Sequence, residues 1–264
     1  MFSSLFATSI CISESYKSTQ KDLAISLNKI STGKNYRDPK DSVCDYMRIQ
    51  KIHRDRSGYI QIKNNIAVTN SMLNIAEDSG QQIINSIKRL KELVDIYSGN
   101  PNDVIVKNNA KNEFENIKTN INSIISSTKY DNKQLIIDSG GSAITKVMLD
   151  PNDFNNTLDI KFNGGDIVDT KGMLITSMST IDDQLDRSYS YITKISGYKR
   201  SLDSQINIIN SITTNNSDYE SMINNVDDGK EMEKVVTSNI RLQSALSMMA
   251  QINTSRQWVL KLVQ

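Results

Sequence analysis

Apolar residues recur at steps of three and four residues along most of the chain, which is the spacing of a helix that buries one narrow stripe. The longest stripe is weakened only at Thr69 and Gly80. Its members are Tyr59, Ile62, Ile66, Thr69, Leu73, Ala76, Gly80, Ile83, Ile87, Leu90, Val94 and Tyr97. This stripe predicts a helix over about residues 45–97, roughly 75 Å long at ~1.5 Å of rise per residue.

A break follows this stripe at residues 98–103. Gly99 suits a helix C-terminal cap, and Pro101 prevents the helix from continuing. Asp103 is placed to cap a second helix. The stripe of that helix is Ala110, Phe114, Ile117, Ile121 and Ile124. A short break between two long helices predicts an antiparallel helical hairpin.

The pattern changes to strict alternation after about residue 130. The alternating apolar residues are Val147, Leu149, Leu158, Ile160 and Phe162. Residues 150–153, which read Asp-Pro-Asn-Asp, separate the two runs, and Gly164-Gly165 follows them. This order predicts one β-hairpin at about residues 140–166.

Helical spacing then returns and continues almost to the C-terminus. The returning stripe is Ile181, Leu185, Ser188, Ile192, Ile195, Lys199, Leu202, Ile206 and Ile209. Residues 215–217 predict a loosening, and Asp227-Asp228 predicts the start of a last helix, because carboxylates favour the N-terminal end of a helix dipole. One apolar face of that helix, together with a similar face near the N-terminus, consists of Leu23, Leu27, Ile30, Met232, Val235, Leu242, Leu246, Met249 and Leu260.

None of these narrow stripes can bury itself alone. We therefore predict a mainly α fold, a long antiparallel helical bundle or coiled coil in which the N- and C-terminal halves pair and one small β-hairpin lies at the distal end. Residues 1–42 with 226–264 would form a terminal coiled-coil domain, and residues 43–225 a rod-like helical domain. The terminal helices are expected to be marginal in a free monomer and to need partners, for which identical copies are the obvious choice.

The composition fits a structural role. Of 264 residues, 38% are hydrophobic, 11 are glycine and 3 are proline, which suits long helices with a thin apolar seam. Because 31 basic and 30 acidic residues leave a net charge of +1, nucleic-acid binding is not expected. No apolar run approaches the ~18 residues that a membrane span needs. Cys11 and Cys44 do not make a disulfide framework.

Few residues could carry chemistry. His53 is the only histidine, and its nine-residue separation from Cys44 places the two about 13 Å apart along a helix. A metal site needs three or four ligands, so no catalytic, metal or cofactor site is predicted and the chain is not expected to be an enzyme. Gly33-Lys34 predicts a break between helices, and Asp38 with Asp41 predicts helix-start capping.

Three short segments near the N-terminus follow a recognisable order. Residues 19–23 read TQKDL, residues 29–34 read KISTGK and residues 38–41 read DPKD. They resemble the SQ-x-x-L, the RLSSG and the acidic pair that precede a long helix in bacterial flagellin.

Five later segments continue the resemblance in the same order. The segments IKRLKEL, TKYDNKQL and VDDGKEM resemble the family's LQR-x-REL, its T-x-FNG-x-x-L and its I-x-D-x-D-x-A-x-E. The segments ALSMMAQIN and WVLKL resemble its terminal ALAQAN and VLSLL. They occupy residues 87–93, 128–135, 226–232, 245–253 and 258–262. The middle of the chain is short, so the resemblance is to a short flagellin that lacks outer variable domains.

The resemblance implies a structural subunit that polymerises into the bacterial flagellar filament for motility. Its implied partners are copies of itself, the flagellar export machinery, an export chaperone at the C-terminal helix, the filament cap and the hook-associated proteins, with no nucleic acid and no cofactor. The implied location is the extracellular flagellum, reached by unfolded export. The opening MFSSLFATSICIS agrees, since it lacks the features of a cleavable secretory signal.

We assign the apolar stripes to two roles within this expectation. The expected filament-core residues are Leu23, Leu27, Ile30, Val235, Leu242, Leu246, Met249 and Leu260. The expected seam of the rod-like domain is Ile66, Leu73, Ile83, Ile87, Leu90, Phe114, Ile117, Ile121, Leu185, Ile192, Leu202 and Ile206. The resemblance also implies contact with Toll-like receptor 5 at Lys91, Glu92, Leu93 and Glu113. That contact would be weak, because the family's arginine is replaced by Lys91, which cannot form a planar fork.

Two alternatives stay open at this point. Pro39 beside the acidic pair resembles the hook–filament junction protein, whose fold is similar. A secreted flagellin-like helical scaffold that does not polymerise is the other alternative.

Overall fold

The computed structural model describes residues 2–136, 142–163 and 167–263, and these residues are mostly helical. The helices in this part of the chain are α1 (Phe2–Thr32), α2 (Val43–Gly99), α3 (Val104–Ser127), α4 (Met178–Asn224) and α5 (Asp228–Val263). The strands are β1 (Lys129–Tyr130), β2 (Lys133–Gln134), β3 (Ser142–Met148) and β4 (Thr157–Asn163), and one 3-10 turn spans Thr170–Gly172. The mainly α fold predicted from the sequence is confirmed.

The chain divides into two compact units. The terminal unit comprises Met1–His53 and Asn215–Gln264, and the central unit comprises Arg54–Thr214. Each unit has its own packing.

In the central unit, α4 runs antiparallel to α2. Lys63 of α2 donates to Asn210 of α4 at 2.9 Å, whereas Gly80, further along α2, lies against Ile192, which is earlier in α4. A Cβ added at Gly80 would lie 3.3 Å from the Ile192 side chain. The weak glycine position in the long stripe is therefore a point of close approach between the two helices.

The turn from α2 into α3 forms the predicted helical hairpin. The Asp103 carboxylate accepts hydrogen bonds from the backbone N–H groups of Ile105 and Val106, both at 3.0 Å, and so caps α3. Arg89 of α2 reaches back to Glu113 of α3 at 2.8 Å, which places the two helices antiparallel.

β3 and β4 form the predicted β-hairpin. Their antiparallel register places Val147 opposite Leu158. Val147, Ile160 and Phe162 are buried, as the alternation predicted.

A second, very short hairpin follows α3, and the sequence analysis did not predict it. β1 pairs with β2 across Asp131 and Asn132, whose φ angles are +47° and +59°. Two successive positive φ angles define a type I′ turn, for which aspartate and asparagine are favourable residues.

The start of α2 differs from the sequence expectation. The Ser42 hydroxyl accepts from the Asp45 backbone N–H at 3.3 Å and donates to the Asp45 carboxylate at 3.0 Å, which makes Ser42 the cap. Asp41 instead accepts from the backbone N–H groups of Asp38 and Arg37, both at 3.2 Å, and these bonds lower the pKa of its carboxyl. The prediction that Asp38 and Asp41 cap the helix is wrong, because Asp41 holds the preceding turn.

The end of α4 and the start of α5 test two further expectations. The predicted loosening at residues 215–217 is wrong, because α4 continues to Asn224. Asparagine and serine cost only tenths of a kcal/mol in a helix interior, which packing overrides. Asp227 accepts from the Lys230 backbone N–H at 3.2 Å and caps α5, so the predicted helix start is confirmed.

Candidate assembly interface

Within the terminal unit, α1 packs antiparallel along α5. The Arg256 guanidinium lies 5.8 Å from the Phe6 ring centroid, so the start of α1 lies beside the end of α5. At the opposite end, the Asn35 backbone N–H donates to the Asn224 carbonyl at 2.7 Å. The expected side-by-side pairing of the two chain ends is confirmed.

The residues between the two helices follow a heptad pattern. On α1 the buried and half-buried positions at three- and four-residue spacing are Ile12, Tyr16, Thr19, Leu23, Ser26 and Ile30. On α5 they are Glu231, Val235, Ser238, Leu242, Ala245, Met249, Ile252 and Arg256. Thr19, Ser26 and Ser238 are buried, and their small side chains take little room between the two helices. This stripe holds the two helices to each other.

The predicted filament-core residues separate into two groups. Those that face the partner helix of the same subunit are Leu23, Ile30, Val235, Leu242 and Met249. Leu27 and Leu246 instead point outward, with 50% and 52% of their surface exposed. Leu260 lies outside the residues whose side chains the structure describes.

Large apolar side chains outside the internal stripe are exposed on both helices. They lie on more than one side of each helix, because Ile25 and Leu27, like Leu246 and Met248, are only two residues apart. The members of this set, each 44–64% exposed, are Phe6, Ile10, Ile25, Leu27, Met232, Val236, Ile240, Leu246, Met248 and Trp258. We call this set the outward row. Exposed apolar residues are ordinary on protein surfaces, and the outward row comprises those of this helix pair that a partner molecule could cover.

One buried charge lies in the pair. Glu231 is buried between the helices and bonds to Lys234 at 2.6 Å. Burial opposes ionisation of Glu231, but hydrogen bonds from Lys234 and Ser26 outweigh it and lower the pKa of the carboxyl. A groove of about 530 Å³ beside Glu231 is lined by charges of both signs, among them Asp22 and Arg241.

The segment that follows α1 is hydrogen-bonded to the segment between α4 and α5. Gly33, with φ +64°, ends α1, and its backbone N–H returns to the Lys29 carbonyl at 2.8 Å. The Val226 backbone N–H donates to the Gly33 carbonyl at 3.2 Å, and Asn35 donates through its side chain to Asn225 at 2.8 Å. Gly33 is therefore the break between helices that the sequence predicted.

The predicted seam residues lie in the central unit. Fully buried members are Ile66, Leu73, Ile83, Ile87, Leu90, Phe114, Ile121 and Leu202. Half-buried members that pack against them are Ile117, Leu185, Ile192 and Ile206. Ile84 and Leu93 are also buried, although both lie off the predicted stripe. Leu93 is only 1% exposed, so its side chain is not presented on the surface of the subunit.

The other residues with an implied receptor role form ion pairs within the subunit. Arg89 bonds to both Glu92 and Glu113, at 2.7 Å and 2.8 Å. Lys91 bonds to Asp182 at 2.7 Å, and this hydrogen bond raises the pKa of its ammonium group. These side chains are substantially exposed, so the pairs contribute little stability.

The residues considered for chemistry do not come together. His53 bonds to Glu220 at 2.8 Å, while Cys44 is exposed nine residues earlier on the same helix. Within the described ranges there is no cluster of three or more potential metal ligands. In those same ranges no helix has an apolar stretch long enough to cross a bilayer.

The described part of the chain is therefore a mainly helical protein whose two ends pair with each other in the terminal unit. Two family models match the chain, the bacterial flagellin N-terminal helical region over residues 4–140 and the C-terminal helical region over residues 178–263. Flagellin from Halalkalibacterium halodurans strain C-125 is 23% identical over 248 residues, which cover 90% of each chain. A crystal structure of Bacillus cereus flagellin is 17% identical with a TM-score of 0.43, over 58% of this chain and 88% of that one.

The chain belongs to the bacterial flagellin family. It is a structural subunit of the extracellular flagellar filament, and it polymerises with copies of itself. The junction protein and the non-polymerising scaffold are not favoured over this function.

Proposed function

We propose that the α1–α5 pair is the filament core of each subunit and that the outward row makes the contacts between subunits. The internal stripe would hold the pair together, and Leu27 and Leu246 would contact neighbouring copies. The observation that carries this proposal is that the internal stripe is covered by the subunit itself, whereas ten large apolar side chains of the same two helices are 44–64% exposed.

The free energies involved require many residues to contribute to the contact between subunits. Complete burial of a large apolar side chain is worth about 1.5–3 kcal/mol, so each half-exposed member of the outward row would contribute about 1 kcal/mol. Association costs about 4–15 kcal/mol of translational and rotational freedom. No single residue offsets that cost, whereas ten together contribute about 10 kcal/mol, which is within its range.

We further propose that residues 1–42 with 226–264 act as the assembling domain and residues 43–225 as a rod. The proposal is supported by the hydrophobic core cluster, whose buried residues, the predicted seam among them, lie in the central unit. An interface that does not close on itself produces an open helical polymer.

The family suggests how the chain reaches the filament. We propose unfolded export through the flagellar export machinery, an export chaperone bound to α5, and later contact with the filament cap and the hook-associated proteins. The two free, exposed cysteines support this route, because a chain with a disulfide framework would not pass unfolded. Any contact with Toll-like receptor 5 would involve Lys91, Glu92 and Glu113 and would be weak.

Three substitutions at two positions test the assignment of the outward row. Leu246→Asp should block polymerisation and leave a soluble, exportable monomer, because it places a charge where a neighbour would bury it. Leu246→Met, which keeps an apolar side chain, should polymerise normally. Leu242→Asp, on the internal stripe, should weaken the α1–α5 pair itself.

The variants are compared by sedimentation and electron microscopy for filaments, and by circular dichroism for helix content. Blocked assembly with normal helix content in Leu246→Asp alone supports the proposal. Normal filaments from Leu246→Asp refute it.

A further inference from the structure

The methionine side chains of this protein lie in very different surroundings. The chain has ten methionines, and four of them are more than half exposed in the part that the structure describes. They are Met222 at 82%, Met47 at 62%, Met232 at 53% and Met248 at 51%. All four lie in the terminal unit. In the central unit, by contrast, Met72 and Met173 are 3% and 0% exposed.

Two of the exposed methionines, Met232 and Met248, belong to the outward row of α5. Met248 lines two neighbouring grooves, of about 400 and 470 Å³. The hydroxyl-bearing residue Ser244 lines both grooves, and Ser247 lines the second. A small molecule can therefore reach the Met248 side chain from two sides. Met249, the next residue, is half-buried on the internal stripe and is less accessible.

An exposed methionine thioether is open to one particular reaction. A peroxide transfers one oxygen atom to the sulfur, so that the O–O bond breaks and an S=O bond forms. With hydrogen peroxide the other product is water, because the sulfur loses the two electrons that the peroxide gains. The apolar side chain becomes a polar sulfoxide.

The sulfoxide has different consequences in the free subunit and in a subunit contact. In the free subunit, the new S=O group of Met232 or Met248 stays in water, so the fold is retained. In a contact made by the outward row, the same group would lose its water, and burial of a polar group without a hydrogen-bond partner is costly.

We propose that Met232 and Met248 are a modification site for peroxides and that their sulfoxides prevent free subunits from polymerising. The inference rests on the proposed role of the outward row. The burial that makes the sulfoxide costly also covers the two thioethers in the filament, so the oxidant acts on unassembled subunits.

The site is tested first by the rate of oxidation at each methionine. Monomers that carry Cys11→Ser and Cys44→Ser, which remove the competing thiols, are treated with hydrogen peroxide and analysed by peptide mass spectrometry. Met232 and Met248 should be oxidised at least about tenfold faster than Met72 and Met173, and faster in monomers than in filaments. Equal rates in either comparison overturn the proposal.

The effect on assembly is measured as the critical concentration for polymerisation after catalase has removed the peroxide. Oxidation should raise it by about tenfold or more, with unchanged helix content by circular dichroism. The double variant Met232→Leu/Met248→Leu keeps two apolar side chains and should assemble as before after the same treatment. The matched control Met47→Leu/Met222→Leu removes the two exposed thioethers outside the outward row and should remain sensitive. A sensitive Met232→Leu/Met248→Leu protein or a resistant Met47→Leu/Met222→Leu protein overturns the proposal.

Reversal gives an independent result. Methionine sulfoxide reductases for both sulfoxide epimers remove the oxygen as water, while a dithiol reductant is oxidised to its disulfide. The reduced protein should regain the original critical concentration, and a protein that stays impaired after complete reduction contradicts the proposal.

Leu246→Asp, measured alongside, separates this inference from the function on which it rests. If Leu246→Asp is blocked but oxidised subunits polymerise normally, the methionine site alone fails. If Leu246→Asp polymerises normally, the role of the outward row fails and this inference fails with it.

Discussion

Gly58 of α2 lies directly against Pro151 of the β3–β4 turn, so closely that a Cβ at position 58 would overlap the proline ring. The turn is also held by Gln205 of α4, whose side chain donates to the Leu149 carbonyl at 3.0 Å. The hairpin therefore depends on a helix surface that has no side chain at one position.

The first prediction concerns this glycine. Gly58→Ala should destabilise the central unit by about 1–3 kcal/mol, because the new methyl group overpacks the contact with Pro151. Gly197→Ala is the matched control. Gly197 is a helical glycine of α4 with no atom within 4 Å of an added Cβ, so alanine there should stabilise by about 0.5–1 kcal/mol. Denaturant unfolding measures both, and a Gly58→Ala protein as stable as Gly197→Ala would show that the turn is not seated on α2.

The second prediction concerns the start of α2. Ser42→Ala should cost about 1 kcal/mol, because the Asp45 backbone N–H loses its capping acceptor. Ser42→Thr keeps a hydroxyl and should cost much less. The two variants are compared by the denaturant concentration at the midpoint of unfolding, provided that the slope of the unfolding free energy against denaturant is unchanged. Equal stability of the alanine and threonine variants would argue against capping by Ser42.

The third prediction concerns pH and Glu231. The pKa of Glu231 is lowered in the folded subunit, so its contribution to stability is present above its unfolded pKa of about 4.3 and is lost as the pH falls through the lower folded value. Glu231→Gln should lower the thermal disassembly temperature of filaments at pH 7, by the equivalent of roughly 1 kcal/mol per subunit.

The difference between wild type and Glu231→Gln should shrink as the pH falls through the lowered folded pKa of Glu231, because both side chains are then neutral. A difference that stays constant throughout an acid titration from pH 7 would contradict a stabilising role for the ionised carboxylate. Lys234→Met is a useful companion variant, since it removes one hydrogen-bond donor to Glu231 and should reduce the pH dependence only in part.

The long helices could be predicted because the heptad pattern repeats over many turns. The limits of that prediction are visible at Ile84 and Leu93, which are buried although they lie off the stripe. A single stripe describes a helix with one neighbour, whereas α2 packs against both α3 and α4 and so buries a wider face. Both residues are apolar and lie beside stripe positions, so a search for a wider apolar face could have found them.

The assembly residues were harder to predict for a different reason. Leu23 and Leu27 are one helical turn apart and both suit an apolar face, yet only Leu27 points outward. Helical period alone does not distinguish the side that meets the partner helix from the side that meets another molecule. Thr19 and Ser26 were missed as buried positions because small polar residues give no hydrophobic signal, although their seven-residue spacing fits the heptad.

The most direct test uses Trp258, the only tryptophan of the chain, which is 64% exposed on the outward row. Its fluorescence emission and its quenching by acrylamide can be followed in the unmodified protein as monomers polymerise. If the outward row makes the contacts between subunits, assembly should shift the emission to shorter wavelength and protect Trp258 from the quencher. Filaments in which Trp258 keeps the emission maximum and quenching of the monomer would contradict the account.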